Sequence, residues 1–132
     1  MIGVSPAYFL SLFSQNFTPA DIEKSLERIH GTGFRTLQLE TFTFSQVSDW
    51  DAATCRRVSV AISDAGLTVS QFVAHHLLTY FGSADGLRSN ELTTEFRRVL
   101  GIAEQVHPGG IITIPQPPFE LPQDKKWPVY ST

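Results

Sequence analysis

The hydrophobic positions of the chain form four short apolar runs separated by amphipathic stretches. The runs are typical of buried strands and lie at residues 2–9 (IGVSPAYF), 36–42 (TLQLETF), 68–76 (TVSQFVAHH) and 111–115 (IITIP). Between them, apolar residues recur every three or four positions, which is typical of one face of a helix. The predicted order β-α-β-α-β-α-β indicates an α/β fold with a parallel sheet and right-handed crossovers.

Terminal residues mark the predicted helices. The first begins after the N-cap residue Thr18, with Pro19 and Asp21 in its first turn, and Gly31 or Gly33 can end it. The second begins near Asp51, has Cys55, Val58 and Ile62 on one face, and ends at Gly66. The third has an apolar stripe of Leu92, Phe96, Val99, Leu100, Ala103 and Val106, and stops at Pro108, Gly109 and Gly110. These helices fill the three gaps between the predicted strands.

Length and composition predict a single soluble domain over residues 1–132, with 116–132 as an irregular, proline-containing tail. No stretch reaches the length of a membrane helix or resembles an export signal, and the single cysteine fits a reducing compartment, so we expect a cytoplasmic location and no membrane contact. The net charge is −3, with the basic residues scattered, which argues against binding to nucleic acid.

The loop after the first predicted strand decides between two parallel architectures. A nucleotide-binding open sheet carries a glycine-rich phosphate loop there, but SPAYFLSLFSQN contains no glycine. The missing glycines favour the other architecture, the (βα)₈ TIM barrel, which normally needs about 250 residues. The sequence therefore predicts about half a barrel, with β-α units 1 to 3 and strand 4.

Four stretches carry a resemblance to a known family: IGVS, GTGFRTLQLE, DAGLTVSQFVAHHLL and GGIITIP. Over about residues 1–116 the chain resembles the amino-terminal half of the xylose-isomerase-like TIM-barrel superfamily, which includes sugar-phosphate isomerases and epimerases. The resemblance implies a metal-dependent aldose–ketose isomerisation or epimerisation in a full-length parent. It also implies that the substrate is a small sugar or sugar phosphate.

Two strand ends carry the candidate substrate-binding residues. Relatives commonly have a glutamate at the position of Gln38, and Glu40 points the same way because strand side chains alternate. His75 lies where several relatives have a histidine, at the strand end that faces the substrate in a barrel, and its neutral ring could accept a hydroxyl proton. His76 is the weaker candidate, since a strand-end residue hydrogen-bonded to backbone explains it as well.

The family's metal site is not expected in this chain. In the isomerases and epimerases a divalent ion (Mn, Mg, Co or Zn) is held by a glutamate, an aspartate, a histidine and a second glutamate on strands five to eight. We therefore expect no metal bound by this chain alone, and no activity without further strands. Three interpretations stay open: part of a longer sugar isomerase, a half-barrel that covers its sheet edges by forming a homo-oligomer, and a non-catalytic protein that binds a sugar-like ligand.

Overall fold

The computed structural model describes residues 3–115, which form an all-parallel four-stranded sheet covered by helices. The strands are β1 (Gly3–Val4), β2 (Thr36–Thr41), β3 (Thr68–Ala74) and β4 (Ile111–Thr113). Each strand pairs in parallel with the next one in sequence. The predicted α/β class with parallel β-α repeats is thus confirmed.

The strand order β1-β2-β3-β4 follows the chain without a reversal. A doubly wound sheet changes direction at a switch point, whereas a (βα)₈ barrel adds its strands in sequence order. Since right-handed crossovers in one direction bring every connecting helix to the same face, the sheet has a helix-covered face and an opposite inner face.

The helices lie in the segments that connect the strands. They are α1 (Pro6–Phe13), α2 (Pro19–Ile29), α3 (Phe44–Ser48), α4 (Ala52–Asp64), α5 (Ala84–Leu87) and α6 (Asn90–Val106), with short 3₁₀ helices at Ser14–Asn16 and His75–Tyr80. Thr18 caps α2 through a reciprocal capping box with Asp21, and the Asp51 side chain caps α4. The predicted starts of these two helices are confirmed.

The prediction of a strand over residues 2–9 is wrong for most of its length. Only Gly3–Val4 is extended within the described part, and α1 begins at Pro6. The Ser5 hydroxyl accepts a hydrogen bond from the Ala7 amide, and proline at the first helical position needs no amide partner. Helix α1 is apolar on nearly every side, so it lacks the polar stripe that separates a surface helix from a buried strand.

The end of β3 and the apolar face of α6 also differ from the sequence prediction. Strand β3 ends at Ala74, so His75 and His76 begin a 3₁₀ helix and do not continue the strand. On α6 the predicted apolar stripe is displaced: Leu100 is 44% exposed, while Ile102, which was not assigned to the stripe, is buried. The residues expected on the inner side of α4 (Cys55, Val58 and Ile62) are buried as predicted.

The hydrophobic core fills the space between the helix-covered face of the sheet and the helices. Leu37 and Leu39 of β2 and Phe72 of β3 are buried there, and Phe72 meets Trp50 edge to face at 6.0 Å. Within residues 3–115 no helix is long and apolar enough to cross a membrane. The predicted irregular tail, 116–132, lies outside the described residues.

Candidate functional site

The candidate site lies where the adjacent parallel strands β2 and β3 end. Two hydrogen-bonded pairs join these ends: Glu40 with His75, and Thr41 with His76. In each pair the partners are 35 residues apart in the chain, and the pairs use consecutive residues on both elements. Because neighbouring strand residues point to opposite faces, Glu40 lies on the inner face and Thr41 on the helix-covered face.

Glu40 and His75 form the pair on the inner face. The Glu40 Oε1 atom lies 3.0 Å from the His75 Nδ1 atom. Glu40 is only 8% exposed, whereas the His75 side chain keeps 40% of its surface open. The ring of Phe42 packs beside His75 with centroids 5.0 Å apart. The carboxylate is thus sheltered, and the imidazole stands between it and solvent.

Burial and the histidine act in opposite directions on Glu40. Removal of the carboxylate from water raises the pKa of Glu40, while the hydrogen bond and charge of His75 lower it, and the net pKa is above the usual 4.5. A carboxylate in this setting shares a proton with its partner more readily than an exposed one. The arrangement suits proton transfer to or from a bound molecule.

Polar side chains continue from this pair down the inner face of the sheet. Gln38 lies two residues before Glu40 and is paired in register with Gln71 of β3. The Gln71 Oε1 atom accepts a 3.0 Å hydrogen bond from the Thr113 hydroxyl of β4. Gln38, Gln71 and Thr113 are all half-buried. Three adjacent strands therefore present amide and hydroxyl groups where a barrel interior is normally filled by branched apolar residues.

His76 lies on the other face and is 4% exposed. Its Nδ1 atom is 2.9 Å from the Thr41 hydroxyl oxygen, and the Phe44 ring meets it edge to face at 5.2 Å. Its Nε2 atom is buried without a hydrogen-bond partner among residues 3–115. Burial lowers the pKa of His76 below the usual 6.5. His76 is therefore a buried residue whose Nδ1 atom is hydrogen-bonded to the Thr41 side chain.

The residues present do not make a metal centre by themselves. Among residues 3–115 no group of three or more histidine, cysteine, aspartate or glutamate side chains is placed to hold an ion. Glu40 and His75 supply two such side chains, and a catalytic ion generally takes about three protein ligands. Glu40 and His75 therefore do not fit a catalytic metal on their own.

The sequence identified Gln38, Glu40, His75 and His76 as candidates, and the structure brings the last three to one sheet edge. The sequence did not identify Thr41, Gln71 or Thr113 as candidates. Gln71 could have been found, because it has the same parity as His75 on the predicted third strand, and alternation places both on the inner face. Thr41 could not have been found from the sequence, because its hydrogen bond to His76 depends on where β2 and β3 end.

Comparison with known proteins does not assign the chain to a family. A scan against protein-family models found no match, and a search of curated proteins found none that is significantly similar to the chain.

Proposed function

We propose that the chain forms part of a barrel-type sugar isomerase or epimerase, with Glu40 and His75 as the proton-transfer pair on one wall of the active site. The observation that carries this proposal is their 3.0 Å hydrogen bond at the adjoining carboxyl ends of two parallel strands. In barrels this is the end of the sheet at which substrates bind and react. The resemblance of residues 1–116 to the xylose-isomerase-like barrels supports the same reading.

The pair can act as a general base. When the Nδ1–H group of a neutral His75 donates to the Glu40 carboxylate, the Nε2 atom carries the free lone pair. That atom can take a proton from a substrate hydroxyl, and the imidazolium that forms is stabilised by Glu40. Ring opening of a sugar and proton movement between neighbouring carbons both need such a step.

The polar wall below the pair favours an uncharged, hydroxylated part of the ligand. Gln38, Gln71 and Thr113 offer neutral donors and acceptors spaced along three strands. None of the described strands contains a lysine or arginine, so an anionic group would meet Glu40 without a compensating cation. If the substrate is a sugar phosphate, this wall receives its hydroxyl groups, and the phosphate is bound elsewhere.

The rest of the site belongs to further strands in this proposal. A divalent ion, which the family uses to polarise neighbouring oxygens, would take its ligands from those strands. The chain alone is then inactive as an isomerase.

The buried thiol of Cys55, whose pKa burial raises, fits a packing role in a reducing compartment such as the cytoplasm.

Ligand titration followed by NMR tests this function. Xylitol, an open-chain polyol, should shift the side-chain amide signals of Gln38 and Gln71 and the ring signals of His75, whereas 1,5-pentanediol at the same concentration should not. Gln71→Leu should weaken polyol binding by about fivefold, the effect of one hydrogen bond. Gln105→Leu, on the exposed side of α6, is the matched control. Equal responses to both ligands would argue against a sugar site.

The second candidate is a half-barrel that associates with a second copy. Strand β4 has one strand neighbour within the described residues, and next to it is an apolar groove of about 390 Å³. The groove is lined by Phe81, Leu92, Thr93, Phe96, Arg97, Leu100 and Ile114. An unpaired parallel edge beside apolar surface favours association, and we propose a homo-oligomer on this basis.

A further inference from the structure

His76 combines burial with two features that a simple core residue does not need. One ring nitrogen is hydrogen-bonded to the Thr41 hydroxyl, and the other has no partner within the described part of the chain. An apolar residue of similar size would fill the same space without leaving a buried polar atom unsatisfied, which generally costs free energy. The position therefore holds a polar ring at the expense of stability.

The Thr41–His76 bond lies next to the Glu40–His75 bond along both elements. Glu40 and Thr41 end β2, while His75 and His76 begin the 3₁₀ helix that follows β3. The His75 side chain keeps 40% of its surface open to solvent and packs beside Phe42. The His76 ring is buried and packs edge to face against Phe44. We therefore expect the buried His76 ring to fix the start of the turn that carries His75.

The carboxylate of Glu95 would favour a proton on the His76 ring, but it is already bound to a cation. Glu95 and Arg98 of α6 act on it in opposite directions and are bound to each other at 3.0 Å. The neighbouring His75 opposes a second positive charge, and Thr41 is neutral. Tyr80 closes the same aromatic cluster against Phe44. A proton added to His76 would therefore produce a buried cation with one hydrogen-bond partner.

We propose that His76 is a positioning residue, whose neutral ring holds the turn so that His75 faces Glu40 and whose protonation in acid releases the turn and separates that pair. The consequence for catalysis rests on the proposed function. The geometric claim does not, because the Glu40–His75 hydrogen bond can be observed without a substrate. Acid would then switch off the pair by moving His75, in addition to any direct effect on Glu40.

The positioning claim is tested at neutral pH with two substitutions at Thr41. Thr41→Val removes the hydroxyl but keeps the shape, and Thr41→Ser keeps the hydroxyl. Imidazole ¹H–¹⁵N NMR reports whether the His75 Nδ1 proton is held by Glu40. We expect Thr41→Val to reduce the bonded population about fivefold and Thr41→Ser to retain it. An unchanged His75 signal in Thr41→Val would overturn the proposal.

The acid release is tested with His76→Asn, in which the side-chain amide can still reach Thr41 but cannot gain a proton. In the wild-type chain the bonded His75 signal should disappear in two steps as the pH falls, one with His76 and one with Glu40. In His76→Asn the step that coincides with the titration of His76 should be absent. His30→Asn, at an exposed ring, is the control and should behave as wild type.

These outcomes separate the proposal from the proposed function. Identical His75 curves in wild type and His76→Asn would overturn the acid release even if polyols bind. Conversely, two steps in wild type and one in His76→Asn would support it even if no sugar binds. If His76→Asn does not fold, the variants Thr41→Val and Thr41→Ser still test the positioning claim. The acid release is then tested in the wild-type chain, where one step of the His75 signal should occur at the same pH as the titration of the His76 ring.

Discussion

The Glu40 Oε1 atom accepts a hydrogen bond from the His75 ring at 3.0 Å, although 35 residues separate the two in sequence. The contact exists because β2 and β3 are adjacent and parallel, so that their carboxyl ends meet at one edge. Because strand side chains alternate, the Glu40 side chain points to the inner face. The 3₁₀ turn after Ala74 places His75 beside it. The β-α-β repeat itself thus brings a carboxylate and an imidazole within hydrogen-bonding distance.

Glu40→Gln should change how stability depends on pH. The folded-state pKa of Glu40 is raised by burial, so the folded chain keeps a proton that the unfolded chain releases above about pH 4.5. The contribution of Glu40 to stability is therefore lost as the pH rises through the folded-state pKa. We expect the free energy of unfolding of Glu40→Gln in urea, relative to that of wild type, to be higher at pH 7 than near pH 4.

Glu27→Gln is the matched control, because Glu27 is exposed on α2. It should leave the pH dependence as it is in wild type. A Glu40→Gln curve parallel to that of wild type would show that the carboxyl group is not disfavoured by burial.

His76 should change the pH dependence of stability in the direction opposite to that of Glu40. Its folded-state pKa is lowered by burial, so the unfolded chain takes up a proton at pH values where the folded chain does not. Stability is then lost as the pH falls below about 6.5. His76→Asn should lose about 1 to 3 kcal/mol at pH 7 because it leaves a cavity, but its curve between pH 7 and 5 should be flatter. Urea unfolding across this range measures both effects, and a slope equal to that of wild type would contradict the assignment.

The sequence predicted best where caps and amphipathic spacing agree. Thr18, Pro19 and Asp21 mark the start of α2, and its apolar face is the one that is buried. The same pair of signals, Ser5 followed by Pro6, marks α1, but the apolar residues that follow have no polar face and were assigned to a strand. In Thr43–Gln46 a capping box also marks α3, which the sequence analysis did not assign. Both errors came from giving apolar runs more weight than caps.

The candidate site was less predictable, because it depends on where strands end. Alternation correctly places Gln38 and Glu40 on one face, and the barrel order predicts that β2 and β3 adjoin. The distance between Glu40 and His75 depends on the turn that begins at His75, where the apolar pattern gives no boundary. The burial of His76 under Phe44 depends on α3, whose presence was not predicted.

Thr18→Ala should destabilise the chain by about 1 kcal/mol, because the Thr18 hydroxyl accepts a hydrogen bond from the Asp21 amide at the start of α2. The Asp21 carboxylate bonds back to the Thr18 amide at 3.0 Å, which lowers the pKa of Asp21. Thr18→Ser preserves the cap and should cost much less. Thermal unfolding followed by circular dichroism compares the two, and equal losses would show that the methyl group of Thr18, and not its hydroxyl, is responsible.

Leu100→Glu should shift the chain from oligomer to monomer if the groove beside β4 is the contact between copies. Leu100 is 44% exposed and lines this groove together with Phe96 and Ile114, so a carboxylate there would have to be removed from water on association. Val60→Glu on α4 is the control, since Val60 is 59% exposed and lies outside the groove. Sedimentation should give a dimer or larger species for wild type and Val60→Glu, and a monomer for Leu100→Glu. A compact wild-type monomer at micromolar concentration would reject self-association, and the covering of β4 would then have to come from elsewhere in the polypeptide or from a different protein.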